Sequence, residues 1–257
     1  MAPDPLVLVS VEQGVARLTL NRPERHNSLV PELIDALNAT LASLLARDLT
    51  ALVLAGAGRS FSTGGDVAAF QAVPREGRAA YARTLVAGLN RAILALIDFP
   101  VPVIARVHGA VTGGSLGFLL AADLVAIAPP AFVAPYYVEV GFAPDGGWTA
   151  MLPERIGEGR ARAIQLLNRR ISAHEAVALG LATELAEPDR LDALIDDWIA
   201  ALRGKVNGGV RATRALLTPP ERRAAIEAGL ARELAAFLDR IATDEVEAGM
   251  VKFLAKH

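Results

Sequence analysis

The chain has 257 residues, 53% of them hydrophobic and 21% charged, with a formal net charge of −2. That is enough for one large domain with a sizeable core, and too apolar for a disordered chain. The balanced charge gives no support to binding of nucleic acid or an anionic membrane, and the absence of cysteine excludes disulfides, zinc–thiolate sites and a cysteine nucleophile.

The first residues lack the basic segment and apolar core of a secretory leader. No uninterrupted apolar run reaches the roughly 20 residues that span a bilayer. A reducing cytoplasm is the expected location. In chain order, residues 6–21 alternate and turn near Gly14, which predicts a β-hairpin. Residues 28–48 carry Leu33, Leu37, Leu41 and Leu44 at helical spacing, with Ser28 as a candidate cap. Residues 50–58 predict a short buried strand running into a glycine-rich turn. A helix follows over 77–98, with Tyr81, Leu85, Leu89, Ile93 and Leu96 on one face. Residues 101–109 predict a strand, 112–123 a turn entering a helix, and 124–128 another strand. This alternation implies an α/β domain in which helices cover parallel strands.

The last third changes character. Residues 172–180 predict a short helix with a capping box, Ser172 to Glu175, stopped by Gly180. Residues 218–242 open with a second such pair, Thr218 and Glu221, and with proline in the first turn. The expected division is an α/β core over 1–190 and a helical segment over 191–257.

Two loops expose backbone after strands: "GRSFSTGGD", residues 58–66, and "HGAVTGGSLG", residues 108–117. Glycine lets an N–H approach a ligand with no Cβ in the way. Two such loops can aim two N–H groups at one oxygen, as in an oxyanion hole; ordinary β–α turns have the same composition. Neither loop has the pattern of a P-loop or of G-x-G-x-x-G. A third stretch, "GFAPDGGW" at residues 141–148, holds one acid, Asp145, between a proline and two glycines. Asp145 is either a reactive carboxylate or the N-cap of a helix beginning near Gly147.

Five stretches in order, "LNRPERHNSL", "RSFSTGGDV", "VHGAVTGGSLGFLLAADLVAIA", "VGFAPDGGWTAMLPERIG" and "ISAHEAVALGLATEL", together resemble the crotonase, or enoyl-CoA hydratase/isomerase, family. The resemblance runs from about residue 6 to the C-terminus. It implies a fold of repeated β-β-α units with a helical C-terminal segment that builds trimers or dimers of trimers. It implies acyl-CoA thioester substrates, with coenzyme A part of the substrate and no separate cofactor or metal. The two oxyanion N–H groups map onto Gly65 and Gly114. Coenzyme A contacts map onto Arg25 and Asp66, with Lys252 or Lys256 reaching a phosphate, on this or a neighbouring subunit.

The two glutamates of the family's hydratases have no counterpart. Their positions map onto Gly117 and onto Tyr137, or Tyr136 by a gapless count. One acid suffices to shuttle a proton from carbon to carbon, and in one isomerase branch it occupies the P-D-G-G turn, here Asp145. Phe142, Trp148 and Tyr137 are expected to desolvate Asp145 and raise its pKa. Glu139, placed by strand alternation on the face of Tyr137, is a second candidate acid. His108 and Asp123 read as structural, and His26 as a residue of the coenzyme loop. The leading expectation is an enoyl-CoA double-bond isomerase. A hydratase and a silent acyl-CoA-binding protein are the alternatives. Hydrolytic dehalogenation would need a histidine within 66–98, where there is none.

Overall fold

The computed structural model describes residues 4–256. In chain order the elements are β1 (Val7–Glu12), β2 (Val15–Leu20), α1 (Pro31–Leu44), β3 (Ala51–Gly56), α2 (Val67–Ala72), α3 (Arg75–Ile97), β4 (Val103–Val107), β5 (Ala110–Thr112), α4 (Leu116–Ala121), β6 (Leu124–Ile127), β7 (Phe132–Ala134) and α5 (Tyr137–Val140). There follow α6 (Leu152–Ile156), α7 (Glu158–Leu166), β8 (Ile171–Ser172), α8 (Ala173–Ala178), β9 (Glu184–Leu185), α9 (Leu191–Arg203), α10 (Asn207–Leu217), α11 (Pro220–Arg240) and α12 (Asp244–Leu254).

β1 and β2 form the expected antiparallel hairpin, turning at Gln13 and Gly14. β2, β3, β4, β6 and β9 then add in parallel, giving the order β1-β2-β3-β4-β6-β9. Side chains alternate across this sheet. Leu52 and Leu54 face the main core with α1 and α3, while Ala51 and Val53 face a second core built with Leu191, Ile195 and Ile199 of α9. α9 thus covers the sheet's far face, as both faces of a parallel sheet must be covered. A smaller sheet, β5-β7-β8, lies beside it. A single bridge, Ser62 to Val111, ties the first glycine loop to this second layer, and another, Leu29 to Gly65, ties it to the segment before α1.

α1 buries Leu33, Leu37, Leu41 and Leu44, each worth about 1.5–3 kcal/mol of transfer free energy when withdrawn from water. It starts at Pro31 with Val30 at the N-cap, so Ser28 is not its cap; its hydroxyl donates to Asp66 instead. Pro31 explains the start, because its fixed φ and missing N–H suit the first helical position. α3 is the one helix among the described residues long and apolar enough to cross a membrane, but 56% of that stretch is buried inside the protein. Ser172 caps α8 as predicted, accepting from Glu175 N at 3.2 Å. The second predicted box does not form: α11 begins at Pro220 behind Pro219, and Thr218 terminates α10. Residues 67–80, whose conformation is not legible from sequence, fold as α2 and the first turns of α3.

Candidate active site

The glycine loops leave the C-terminal ends of parallel strands, where open α/β sheets place ligands. The first follows β3. It is braced by Asn27, fully buried, whose side-chain amide donates to the carbonyls of Ala57, Ser60 and Phe61 at 2.8–3.1 Å. The second follows β4 and β5 and enters α4 through a 3-10 turn over Gly113–Ser115.

The loops touch. At Gly64 the backbone is left-handed (φ +72°), and a Cβ there would lie 2.4 Å from the Thr112 carbonyl oxygen and 3.1 Å from Gly113 Cα. Only glycine allows that approach. Gly65 and Gly114, the next residues on each loop, both line one cavity of about 490 Å³. The Gly114 N–H belongs to the opening of a short helix, where backbone donors have no partner in the preceding turn. Neither it nor the Gly65 N–H has an acceptor among the described residues.

Asp145 lines the same cavity and is 7% exposed. A Cβ on Gly114 would fall 2.6 Å from Asp145 Oδ1, so the carboxylate is pressed against one of the two glycines. The Tyr137 hydroxyl donates to Asp145 Oδ1 at 2.5 Å and is itself 3.1 Å from the Asp145 carbonyl oxygen. Burial pushes the Asp145 carboxyl up to about 7; the Tyr137 hydrogen bond pulls it down and the charge of Glu233 raises it further. The side chain caps no helix. Turns follow it, and its backbone oxygen accepts from Trp148 N at 3.4 Å. A carboxylate of this proton affinity, next to two unpaired amides, can remove a proton beside a carbonyl held by those amides.

The other predicted residues divide. Arg25, Asp66, Tyr137 and Phe142 line the cavity; Trp148 and Lys252 do not. Trp148 is fully buried behind the site, its indole N–H donating to the Gly113 carbonyl at 2.8 Å and so fixing the second loop. Lys252 is exposed on α12, beside Phe253 and Leu254, which do reach the cavity. Asp66 caps α2 through Ala69 N and accepts from Arg22 at 2.9 Å and Arg25 at 3.2 Å. Burial alone would raise its pKa, but Arg22, the Ala69 amide and Arg25 outweigh that and hold it below the ordinary range. His26 lines the mouth of the cavity, with Nδ1 at 3.1 Å from Ser60 Oγ. His108 and Asp123 are tied down structurally, the first to Gly58 O and the second to Val103 N and Arg214. Glu139 is exposed, because residues 137–140 form a helical turn rather than the strand that would have set it beside Tyr137.

Sequence reasoning missed Phe70 and Phe237, whose rings pack with that of Phe142 along the cavity with centroids 5.0–5.8 Å apart. It also missed Glu233 on α11, which is 3% exposed and accepts hydrogen bonds from the turn carrying Asp145.

Residues 10–257 match a family model described as enoyl-CoA hydratase/isomerase. The chain belongs to the enoyl-CoA hydratase/isomerase family. It is 32% identical over 204 residues to "Trans-2-decenoyl-[acyl-carrier-protein] isomerase" of Streptococcus mutans, covering 78% of this chain and 77% of that one. It is 33% identical over 224 residues to "Probable enoyl-CoA hydratase EchA12" of Mycobacterium tuberculosis, covering 85% and 79%. A crystal structure of an enoyl-CoA hydratase from Mycobacterium avium subsp. paratuberculosis superposes with a TM-score of 0.87 at 26% identity, over 99% of this chain and 98% of that one. The sequence resemblance maps the first glutamate of the family's hydratases onto Gly117. A Cβ at Gly117 would lie 2.3 Å from Ile93 Cδ1 and 2.7 Å from the Gly146 carbonyl oxygen, so the position has no room for a side chain.

Proposed function

We propose that this enzyme shifts a carbon–carbon double bond within an enoyl-CoA thioester, with Asp145 as its single acid–base group. The observation that carries the proposal is the Asp145 carboxyl, buried against Gly114, gripped by Tyr137 and poised near neutrality. With a 3-enoyl thioester, the Asp145 carboxylate takes a proton from C2. The electron pair moves into the carbonyl, forming a dienolate whose oxygen rests on the N–H groups of Gly65 and Gly114. Each such donor is worth roughly 3 kcal/mol where the charge develops. The same carboxyl group then returns its proton to C4, leaving a 2-enoyl thioester with atoms and electrons balanced. A pKa about equal to the working pH suits a group that must both accept and donate.

Water addition by two carboxylates is disfavoured, since Gly117 has no room for the first and the second maps onto Tyr137 or Tyr136, neither of them an acid. The isomerase name of the Streptococcus mutans relative, whose named substrate is carried on acyl-carrier protein, supports the double-bond shift. In this reading Arg25 and His26 meet the coenzyme and the rings of Phe70, Phe142 and Phe237 the acyl group; all five line the cavity, which supports it.

Assay in deuterated water with crotonyl-CoA and a series of 3-enoyl-CoA thioesters tests this. The expected product is the 2-enoyl thioester, carrying deuterium at C4 to the extent that the Asp145 carboxyl exchanges with solvent between the two proton transfers. Formation of 3-hydroxyacyl-CoA alone would instead make the protein a hydratase. Binding without turnover, unchanged by Asp145→Asn, would make it a non-catalytic acyl-CoA-binding protein.

A further inference from the structure

The turn that carries Asp145 takes most of its backbone acceptors from a neighbouring helix. Gly146 and Gly147 are both left-handed, at φ +64° and +87°. A Cβ on Gly146 would lie 2.3 Å from the Gly114 carbonyl oxygen, so the chain passes hard against the second loop, to which Trp148 ties it through the Gly113 carbonyl. The N–H groups of Gly147, Thr149 and Ala150 then point away from any strand or helix partner, and buried unpaired donors are expensive.

One side chain answers all of them. Glu233 Oε2 accepts from Gly147 N at 2.8 Å; Oε1 accepts from Thr149 N at 2.6 Å, Thr149 Oγ1 at 2.7 Å and Ala150 N at 3.0 Å. The carboxylate arrives on α11, which comes close because position 229 is glycine; a Cβ there would lie 2.6 Å from Ala150 Cβ. Asn90 of α3 fixes the helix from its other side, donating to the Leu230 carbonyl at 3.1 Å.

We propose that Glu233 is a positioning residue of the reaction: it shapes the 145–150 turn so that Asp145 faces the paired amides, and it sets a second buried negative charge behind that carboxylate. The proposal rests on Asp145 being the acid–base group. Burial raises the pKa of Glu233 while its four hydrogen bonds favour the carboxylate, and its charge adds to the upward shift of Asp145. The groups that face the pair are few. Tyr137 of α5 meets Asp145, and its own hydroxyl is held far above its ordinary pKa, first by burial and then by Asp145. The other groups that meet this turn among the described residues are uncharged Gly114 and Gly117, before and within α4, and Gln165 of α7, which donates to the Trp148 carbonyl, while the Arg232 guanidinium of α11 lies beside Gly229 where that helix meets Ala150.

The test compares wild type, Glu233→Gln, Glu233→Asp and Asp145→Asn. One readout needs no turnover: the carboxyl resonance of Asp145 in 13C-aspartate-labelled protein, identified by its loss in Asp145→Asn and titrated from pH 4 to 9. The other is the pH profile of kcat and of KM with an enoyl-CoA. Glu233→Gln should lower the Asp145 midpoint by roughly half a unit or more, since a like charge is removed. The acid limb of kcat should follow it, with kcat down roughly tenfold through the displaced turn and KM little changed. Glu233→Asp should keep the midpoint near 7 and still lose kcat. If Glu233→Gln does not fold, Glu233→Asp carries the test, and a kcat equal to wild type would overturn the proposal. A folded Glu233→Gln whose Asp145 midpoint and acid limb do not move would also overturn it, leaving the isomerase reading intact. If the midpoint moves but wild type converts no enoyl-CoA, the coupling stands and the isomerase reading falls.

Discussion

Replacing Asp145 by asparagine should remove activity and, at alkaline pH, make the protein more stable. The carboxyl has a folded pKa of about 7 against an ordinary value of 3.8. Between those values the folded chain binds more protons than the unfolded one, so its stability falls as pH rises through that window. About 3 units at about 1.4 kcal/mol each make the full penalty of ionising Asp145 in place about 4 kcal/mol. About 3 kcal/mol of it should accrue between pH 5 and pH 8. Asparagine keeps an oxygen for the Tyr137 hydroxyl to donate to but has no proton to lose, so the penalty vanishes. Urea denaturation of wild type and Asp145→Asn at pH 5 and pH 8, at one protein concentration, measures this directly. The variant's advantage should grow by about 2–3 kcal/mol between the two pH values, while kcat falls at least roughly a hundredfold. A stability difference independent of pH would refute the buried, proton-hungry carboxyl on which the mechanism depends.

Tyr137→Phe removes the donor that pulls the Asp145 pKa down, so the acid limb of kcat should move to higher pH, with kcat at pH 7 reduced; a stopped-flow pH profile reads both. Gly114→Ala puts a methyl 2.6 Å from Asp145 Oδ1 and from Leu89 Cδ2, and should cost roughly a hundredfold in kcat, measured beside coenzyme A binding by calorimetry. Gly117→Glu, which restores the first glutamate of the hydratase pattern, should yield no hydratase activity and lose about 2–3 kcal/mol of stability by thermal melting, because Ile93 and the Gly146 carbonyl fill the space.

Much of the protein was legible in the residues alone. Period-two and period-3.6 patterns announce the hairpin, α1 and α3 because their apolar faces answer to local backbone geometry. The glycine loops announce close backbone approach, and the order of five motifs identifies the family. Local composition misleads where two signals compete. Residues 136–141 contain β-favouring Tyr and Val, but left-handed Tyr136 and Gly141 bound a single helical turn there, which sends Glu139 to solvent. Thr218 is followed by two prolines, and Pro219 at the N-cap leaves it no capping role. One signal was available and missed: Glu233 interrupts the buried stripe of Ile226, Leu230 and Phe237, and an acid on such a stripe needs partners.

The sequence by itself determined the alternation of strands and helices, the glycine turns and the single acid between proline and glycine, because these depend on neighbours along the chain. Only the tertiary structure decided that Asp145 lies against Gly114, that Tyr137 holds it, and that a glutamate 88 residues further on steadies its turn. Such contacts join distant segments, and the burial that, with the charge of Glu233, pushes this carboxyl up to about 7 exists only once those segments have closed around it.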